Sequence, residues 1–115
     1  FVSAHGTGTP LNDRIEAEVL RRTLGPRTSR IPVNSIKGAL GHSMGAAATL
    51  EALTCLLASR DGVVPHTVGL EEPDPVCDLD HVMGSPRAVR PHVSLSTSLG
   101  FGGCNAALVL EGASA

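Results

Sequence analysis

The chain has 115 residues, 42% of them hydrophobic, and a formal net charge of -2. That length allows one domain at most, and the apolar content excludes a disordered tail. Nine lysines and arginines scattered against eleven acids give no basic face, which excludes a nucleic-acid partner.

Phe1 to Ala4 reads as the interior of a strand that delivers His5 into the loop Gly6-Thr7-Gly8-Thr9-Pro10. A helix is predicted from Asp13 to Leu24, capped by Asn12 or Asp13, with Ile15, Val19 and Leu20 at helical spacing and Gly25-Pro26 as its stop. Ile31 to Ile36 reads as a second strand, with Pro32 at its start or on an edge. The longest helix is predicted from His42 to Ser59, with leucines at 50, 53, 56 and 57 giving it a broad apolar surface. It is short and carries Glu51, so it reads as a buried core helix and no membrane is expected. Val63 to Arg90 is rich in proline and acid and reads as loop. Two closing strands follow, His92 to Thr97 and Asn105 to Leu110, joined by the Leu99 to Gly103 turn. The last is almost wholly apolar, which predicts a place inside a covered sheet. The order β-α-β-α-loop-β-β is an α/β arrangement ending in a hairpin.

The chemistry gathers in glycine-rich settings, where backbone or substrate can come close to an ionisable group. His5 lies in Ala4-His5-Gly6-Thr7-Gly8-Thr9, Lys37 in Ser35-Ile36-Lys37-Gly38, and His42 in Gly41-His42-Ser43-Met44-Gly45. A histidine in a loop can be a satisfied polar group, or it can donate a hydrogen bond to a carbonyl oxygen. His42, expected at the start of the long helix, suits oxyanion stabilisation with a neutral ring. Lys37 follows an apolar strand and would need a partner if buried, and Glu51 is the natural one. A structural ion pair is an equally good reading of those two. Thr7 and Thr9 alternate with glycines, so both hydroxyls could face an amide-bearing ligand or simply stabilise the turn. The Leu99–Gly103 turn exposes backbone N–H groups around Phe101 that could hold an oxyanion. Gly41-His42-Ser43-Met44-Gly45 also matches the Gly-x-Ser-x-Gly elbow of serine hydrolases and acyltransferases, which would make Ser43 a nucleophile. Against that reading, Lys37-Gly38-Ala39-Leu40 intervenes between the strand and the serine. Cys55, Cys77 and Cys104 show neither a disulfide framework nor a metal-ligand spacing, so no metal site is expected and a reducing cytoplasm is the simplest setting.

Taken in order, His5-Gly6-Thr7-Gly8-Thr9-Pro10, Ser35-Ile36-Lys37, Gly41-His42, Gly45-Ala46-Ala47 and Gly100-Phe101-Gly102-Gly103 resemble the C-terminal half of a β-ketoacyl synthase. The resemblance runs from Phe1 to Leu110 and includes Pro73-Asp74-Pro75 and Cys77-Asp78-Leu79-Asp80. It implies a thiolase-like fold and a decarboxylative Claisen condensation between an acyl thioester and malonyl-acyl carrier protein. By it, His5 and His42 polarise the malonyl thioester carbonyl, and Lys37 orients the site in contact with Glu51. Thr7 and Thr9 bind the amides of the carrier protein's phosphopantetheine arm. The Phe101 N–H completes an oxyanion hole while its ring gates the acyl pocket, with Leu99 standing where many relatives have phenylalanine.

The nucleophilic cysteine of the family lies in its N-terminal half, and none of the three cysteines here has that setting. No cofactor is expected on the chain itself. The implied partners are an acyl carrier protein, the N-terminal half of the synthase, and a second subunit in a homodimer or a ketosynthase/chain-length-factor heterodimer. Two histidines and a lysine favour a competent synthase over the chain-length partner, and the fragment alone is expected to be inactive. The alternative is a split-enzyme piece that only binds a carrier protein. On a family strand order of 3-2-1-4-5, residues 1–115 would form an incomplete domain that lacks the first, central strand and does not fold alone.

Overall fold

Alternation along the first strand, β1 (Val2–Ser3), sends Val2 and Ala4 to one face and Phe1 and Ser3 to the other, and each face collects its own helix. The structure, a computed structural model, describes residues 1–112. Val2 and Ala4 pack with Leu20 of α1 (Pro10–Leu24) and with Val33. Phe1 packs with Cys55 and Ala58 of α3 (Ala47–Asp61) and with Val64 and Val82. The result is a sheet between two helices, the α/β architecture read from the element order.

The elements differ from the sequence reading at their ends. α1 begins at Pro10, ahead of Asp13, because proline at a first helical position has its φ already set and loses no hydrogen bond there. β2 is only Val33–Asn34, and an unforeseen single turn, α2 (Lys37–Leu40), follows it. α3 starts at Ala47 instead of His42, because Gly41 (φ 72°) and Met44 (φ 49°) carry backbone turns no helix can contain. A 3-10 turn, Met44–Ala46, leads in, and Gly62 in the left-handed region ends the helix. His42 therefore sits in a loop ahead of the helix. The 63–90 region is mainly loop, with one antiparallel pair, β3 (Val63–Val64) and β4 (Arg87–Ala88).

The main sheet runs β2-β1-β5-β6, with β5 (Val93–Leu99) parallel to β1 and β6 (Asn105–Glu111) antiparallel to β5. This corrects the expectation of a missing central strand. β1 is itself central and hydrogen-bonded on both sides, Val2 opposite Val33 and opposite Leu95. The closing hairpin is as expected, but its last strand is not covered. β6 is the outer strand among the described residues, and Val109 is 71% exposed. Leu53, Leu56 and Leu57 of α3 are exposed as well.

Those bare apolar faces exceed what a solitary soluble domain normally shows. Expressed alone, the 115-residue segment is expected to bind a hydrophobic dye and self-associate. A monodisperse, dye-silent monomer in sedimentation would show that these faces need no cover.

Candidate active site

Parallel pairing brings the C-terminal ends of β1 and β2 to one edge, with β5 alongside, and this edge is where the ionisable groups meet. His5 leaves β1 there and is buried. Lys37 opens α2 just beyond β2, and Glu51 reaches in from the first turns of α3. The Lys37 and Glu51 side chains, 6% and 1% exposed, form an ion pair through Nζ and Oε1. Nζ also donates to the His5 carbonyl oxygen at 2.6 Å and lies 3.5 Å from His5 Nδ1. An ammonium has three protons and no lone pair, so it can only donate to Nδ1. The remaining ring proton of a neutral His5 is therefore on Nε2.

His42 reaches the same tautomer by another route. Its Nδ1 accepts the Met44 backbone N–H at 3.1 Å, so a neutral ring again carries its proton on Nε2. The two rings meet edge to face, with centroids 5.5 Å apart and planes at 83°. Two neutral imidazoles, each with its Nδ1 occupied, thus lie side by side. His5 titrates below the ordinary imidazole value of 6.5. Burial is the first cause and the Lys37 ammonium the second; Glu16 and Glu51 oppose them, while His42 adds to the lowering.

Glu16 is the residue the sequence reading missed. It lies on the inner face of α1, buried, and forms no ion pair among the described residues. Its Oε1 accepts the His5 N–H at 2.8 Å and the Thr97 hydroxyl at 2.7 Å, and its Oε2 accepts the Gly6 N–H at 2.9 Å. Asn12 Nδ2 adds a weaker bond at 3.4 Å. Four donors offset the cost of burying the charge and fix the backbone that carries His5. The available signal was a charged residue on the apolar side of α1, three positions after Asp13.

The threonines and Phe101 stand further out. Thr7 and Thr9 share a hydroxyl hydrogen bond of 2.8 Å and line an open cavity of about 550 Å³ that reaches Lys37 and His42. The Phe101 side chain is fully exposed on the turn between β5 and β6, and makes no ring contact with either histidine among the described residues.

Ser43 does not form a nucleophile elbow. Helix α2, not a strand, leads toward it, and its φ of -83° is ordinary. Side chains that a serine nucleophile could use as acid or base are engaged elsewhere: Asp80 pairs with Arg87, His81 Nε2 contacts the Cys77 carbonyl, and His92 pairs with Glu111. Cys55 is buried in α3, where burial pushes its thiol up to about 11. Burial raises Cys77 as well, and neither is a thiolate at neutral pH. No cluster of three or more metal-ligating side chains occurs among the described residues, and no helix there is long and apolar enough to cross a membrane.

The β-ketoacyl synthase C-terminal domain matches residues 1–71. The chain is 48% identical over 110 residues to the ketoacyl synthase alpha subunit of the tetracenomycin polyketide synthase from Streptomyces glaucescens, covering 96% of this chain and 26% of that protein. It is 43% identical over 111 residues to 3-oxoacyl-[acyl-carrier-protein] synthase 2 of Coxiella burnetii, covering 96% and 27%. Among solved structures, the ishigamide ketosynthase/chain length factor superposes with a TM-score of 0.93 at 38% identity, over 99% of this chain and 28% of that one. The chain therefore spans about a quarter of the length of the relatives it matches. With the motif order, the sheet and the histidine–lysine cluster all in agreement, this chain belongs to the β-ketoacyl synthase family and corresponds to its C-terminal part.

Proposed function

We propose that residues 1–115 form the C-terminal part of a ketosynthase domain and supply the carbonyl-polarising half of a decarboxylative Claisen condensation. The observation that carries this is the matched tautomer of His5 and His42, each with Nδ1 occupied by a fixed donor and Nε2–H left free. When a malonyl thioester loses carbon dioxide, the electron pair of the breaking carbon–carbon bond moves into an enolate. The negative charge develops on the thioester oxygen. Two preplaced N–H donors lower the barrier because they need no reorganisation as that charge appears. The α-carbon of the enolate then attacks an acyl thioester on a cysteine of the N-terminal half, and that thiolate leaves.

Lys37, held by Glu51, keeps His5 in its donor tautomer. Thr7 and Thr9 hold the amides of the phosphopantetheine arm along the cavity they line, and Phe101 contributes its N–H to the oxyanion hole for the acyl thioester. The partners in this reading are an acyl carrier protein, the rest of the synthase and a second subunit, in the cytoplasm. The carrier protein is named in the Coxiella relative's function and the chain length factor in the ishigamide structure. The rival reading, a piece that binds a carrier protein without chemistry, leaves the two fixed tautomers without a purpose.

Assays of the complete synthase with malonyl-acyl carrier protein test this directly. His42→Ala and Lys37→Ala are each expected to lower kcat by about 100-fold or more, while Ser43→Ala stays within about twofold. Full activity in His42→Ala, or loss only in Ser43→Ala, would reject the condensing role.

The acid limb of kcat/KM is expected below pH 6.5, because a His5 whose protonation is disfavoured stays neutral down to lower pH. In Lys37→Met that limb should move up, since the neighbouring cation no longer opposes protonation. An unmoved limb would show that His5 does not set it. Glu16→Gln keeps the size of the side chain but replaces one acceptor oxygen with a donor that faces the His5 or Gly6 N–H. It is expected to destabilise the enzyme by about 1–3 kcal/mol and to lower kcat as well. A melting temperature equal to wild type would count against the clamp.

A further inference from the structure

His5 and Lys37 follow different strands, and one hydroxyl joins the two. Ser35 lies between β2 and α2 and is buried. Its Oγ donates to the Gly6 carbonyl oxygen at 2.8 Å and accepts the Lys37 backbone N–H at 3.3 Å. One serine thus holds the residue after His5 and the lysine itself. The fit is close: a Cβ on Gly6, whose φ is +39°, would lie 2.6 Å from Ser35 Cβ. Ser35 is fixed in turn from outside the site, because its N–H donates to Thr67 Oγ1 at 3.0 Å. Thr67 belongs to the long loop after β3 and is anchored by its own N–H on the Val82 carbonyl at 2.9 Å. The next residue of that loop bears on α2, since a Cβ on Gly38 would run into the Val68 carbonyl oxygen.

We propose that Ser35 is a positioning residue that couples the His5 loop to the Lys37 turn, and that Thr67 is its anchor. This rests on the ketosynthase reading only for its kinetic readout. Loss of the Ser35 hydroxyl frees the Gly6 carbonyl and the Lys37 N–H together, so the Lys37–His5 Nδ1 contact at 3.5 Å loses its frame. The groups facing His5 are Lys37, Glu16, Glu51 and His42. Of these, only Lys37 is held through Ser35. Drift of its ammonium removes an influence that lowers the His5 pKa, so protonation of His5 should move to higher pH.

The test uses the complete synthase with Ser35→Ala, Thr67→Val and Thr67→Ser. Ser35→Ala is expected to lower kcat about tenfold with KM within about twofold, and to raise the acid limb of kcat/KM. Thr67→Val should follow it in part, whereas Thr67→Ser, which keeps the hydroxyl, should match wild type. A Ser35→Ala enzyme with wild-type kcat and pH profile overturns the proposal. So does one that merely melts earlier while its folded fraction keeps the wild-type profile. If Ser35→Ala does not fold, the Thr67 pair decides: equal profiles for Val and Ser overturn the proposal, and a shifted limb in Val alone supports it. Wild-type enzyme that fails to condense malonyl thioesters rejects the ketosynthase reading instead. In that case NMR titration of His5 still reads the coupling, as an upward shift in Ser35→Ala or as none.

Discussion

The buried ion pair between Lys37 and Glu51 is the constraint around which the site is built. An ammonium taken out of water just beyond an apolar strand is costly, and a carboxylate buried in the first turns of a core helix is equally so. Their meeting settles where α2 and α3 must lie relative to each other. The pair is a poor source of net stability, because desolvation consumes most of the attraction. Its consequence is directional. With one ammonium proton committed to Glu51, the other two point at the His5 carbonyl oxygen and Nδ1. The pair also reaches β5, where Ser98 Oγ donates to Glu51 Oε2 at 3.5 Å. Helix, turn and sheet are tied through one charge.

A second buried carboxylate does different work a few ångströms away. Glu16 is satisfied by backbone and hydroxyl donors from His5, Gly6 and Thr97, with no ion pair among the described residues. Glu51 neutralises a charge, whereas Glu16 holds a main chain. Both favour a protonated His5, yet burial and the lysine outweigh them, so the imidazole titrates below its ordinary value. Lys37 thus adds to the effect of burial on His5 as well as orienting the ring.

The motifs were legible because they are local. The glycine-flanked His5, Lys37 and His42 each declare close approach within a few residues, and the fold brings all three together. Glu51 could be paired with Lys37 by charge and by the apolar character of α3. Glu16 was not legible, since its role depends on a strand end folding over α1 and not on any neighbour in sequence. The His42 setting was misjudged for a related reason. Apolar periodicity predicted helix from His42 onward, but Met44 at positive φ shows the backbone still turning there. Outside a helix the Met44 N–H is free to meet the imidazole, and that bond fixes the tautomer. Sheet order failed most plainly. Strand content was readable, but which strand is central depends on pairings between residues some ninety positions apart, such as Val2 with Leu95.

The contrast between the two histidines bears on how such a site is divided. His5 is buried and held by groups from α1, α2 and β5, whereas His42 is exposed and held only by its own loop. The second ring is the less firmly held of the two and gains support across the site. The ring-to-ring contact at 83° provides part of that support, because the edge of one imidazole rests on the face of the other. His42 and Met44 are both exposed. Fixing Nδ1 through the main chain gives His42 its tautomer from within its own loop, as Lys37 gives it to His5 from α2, so the tautomer of each ring is set by these residues themselves.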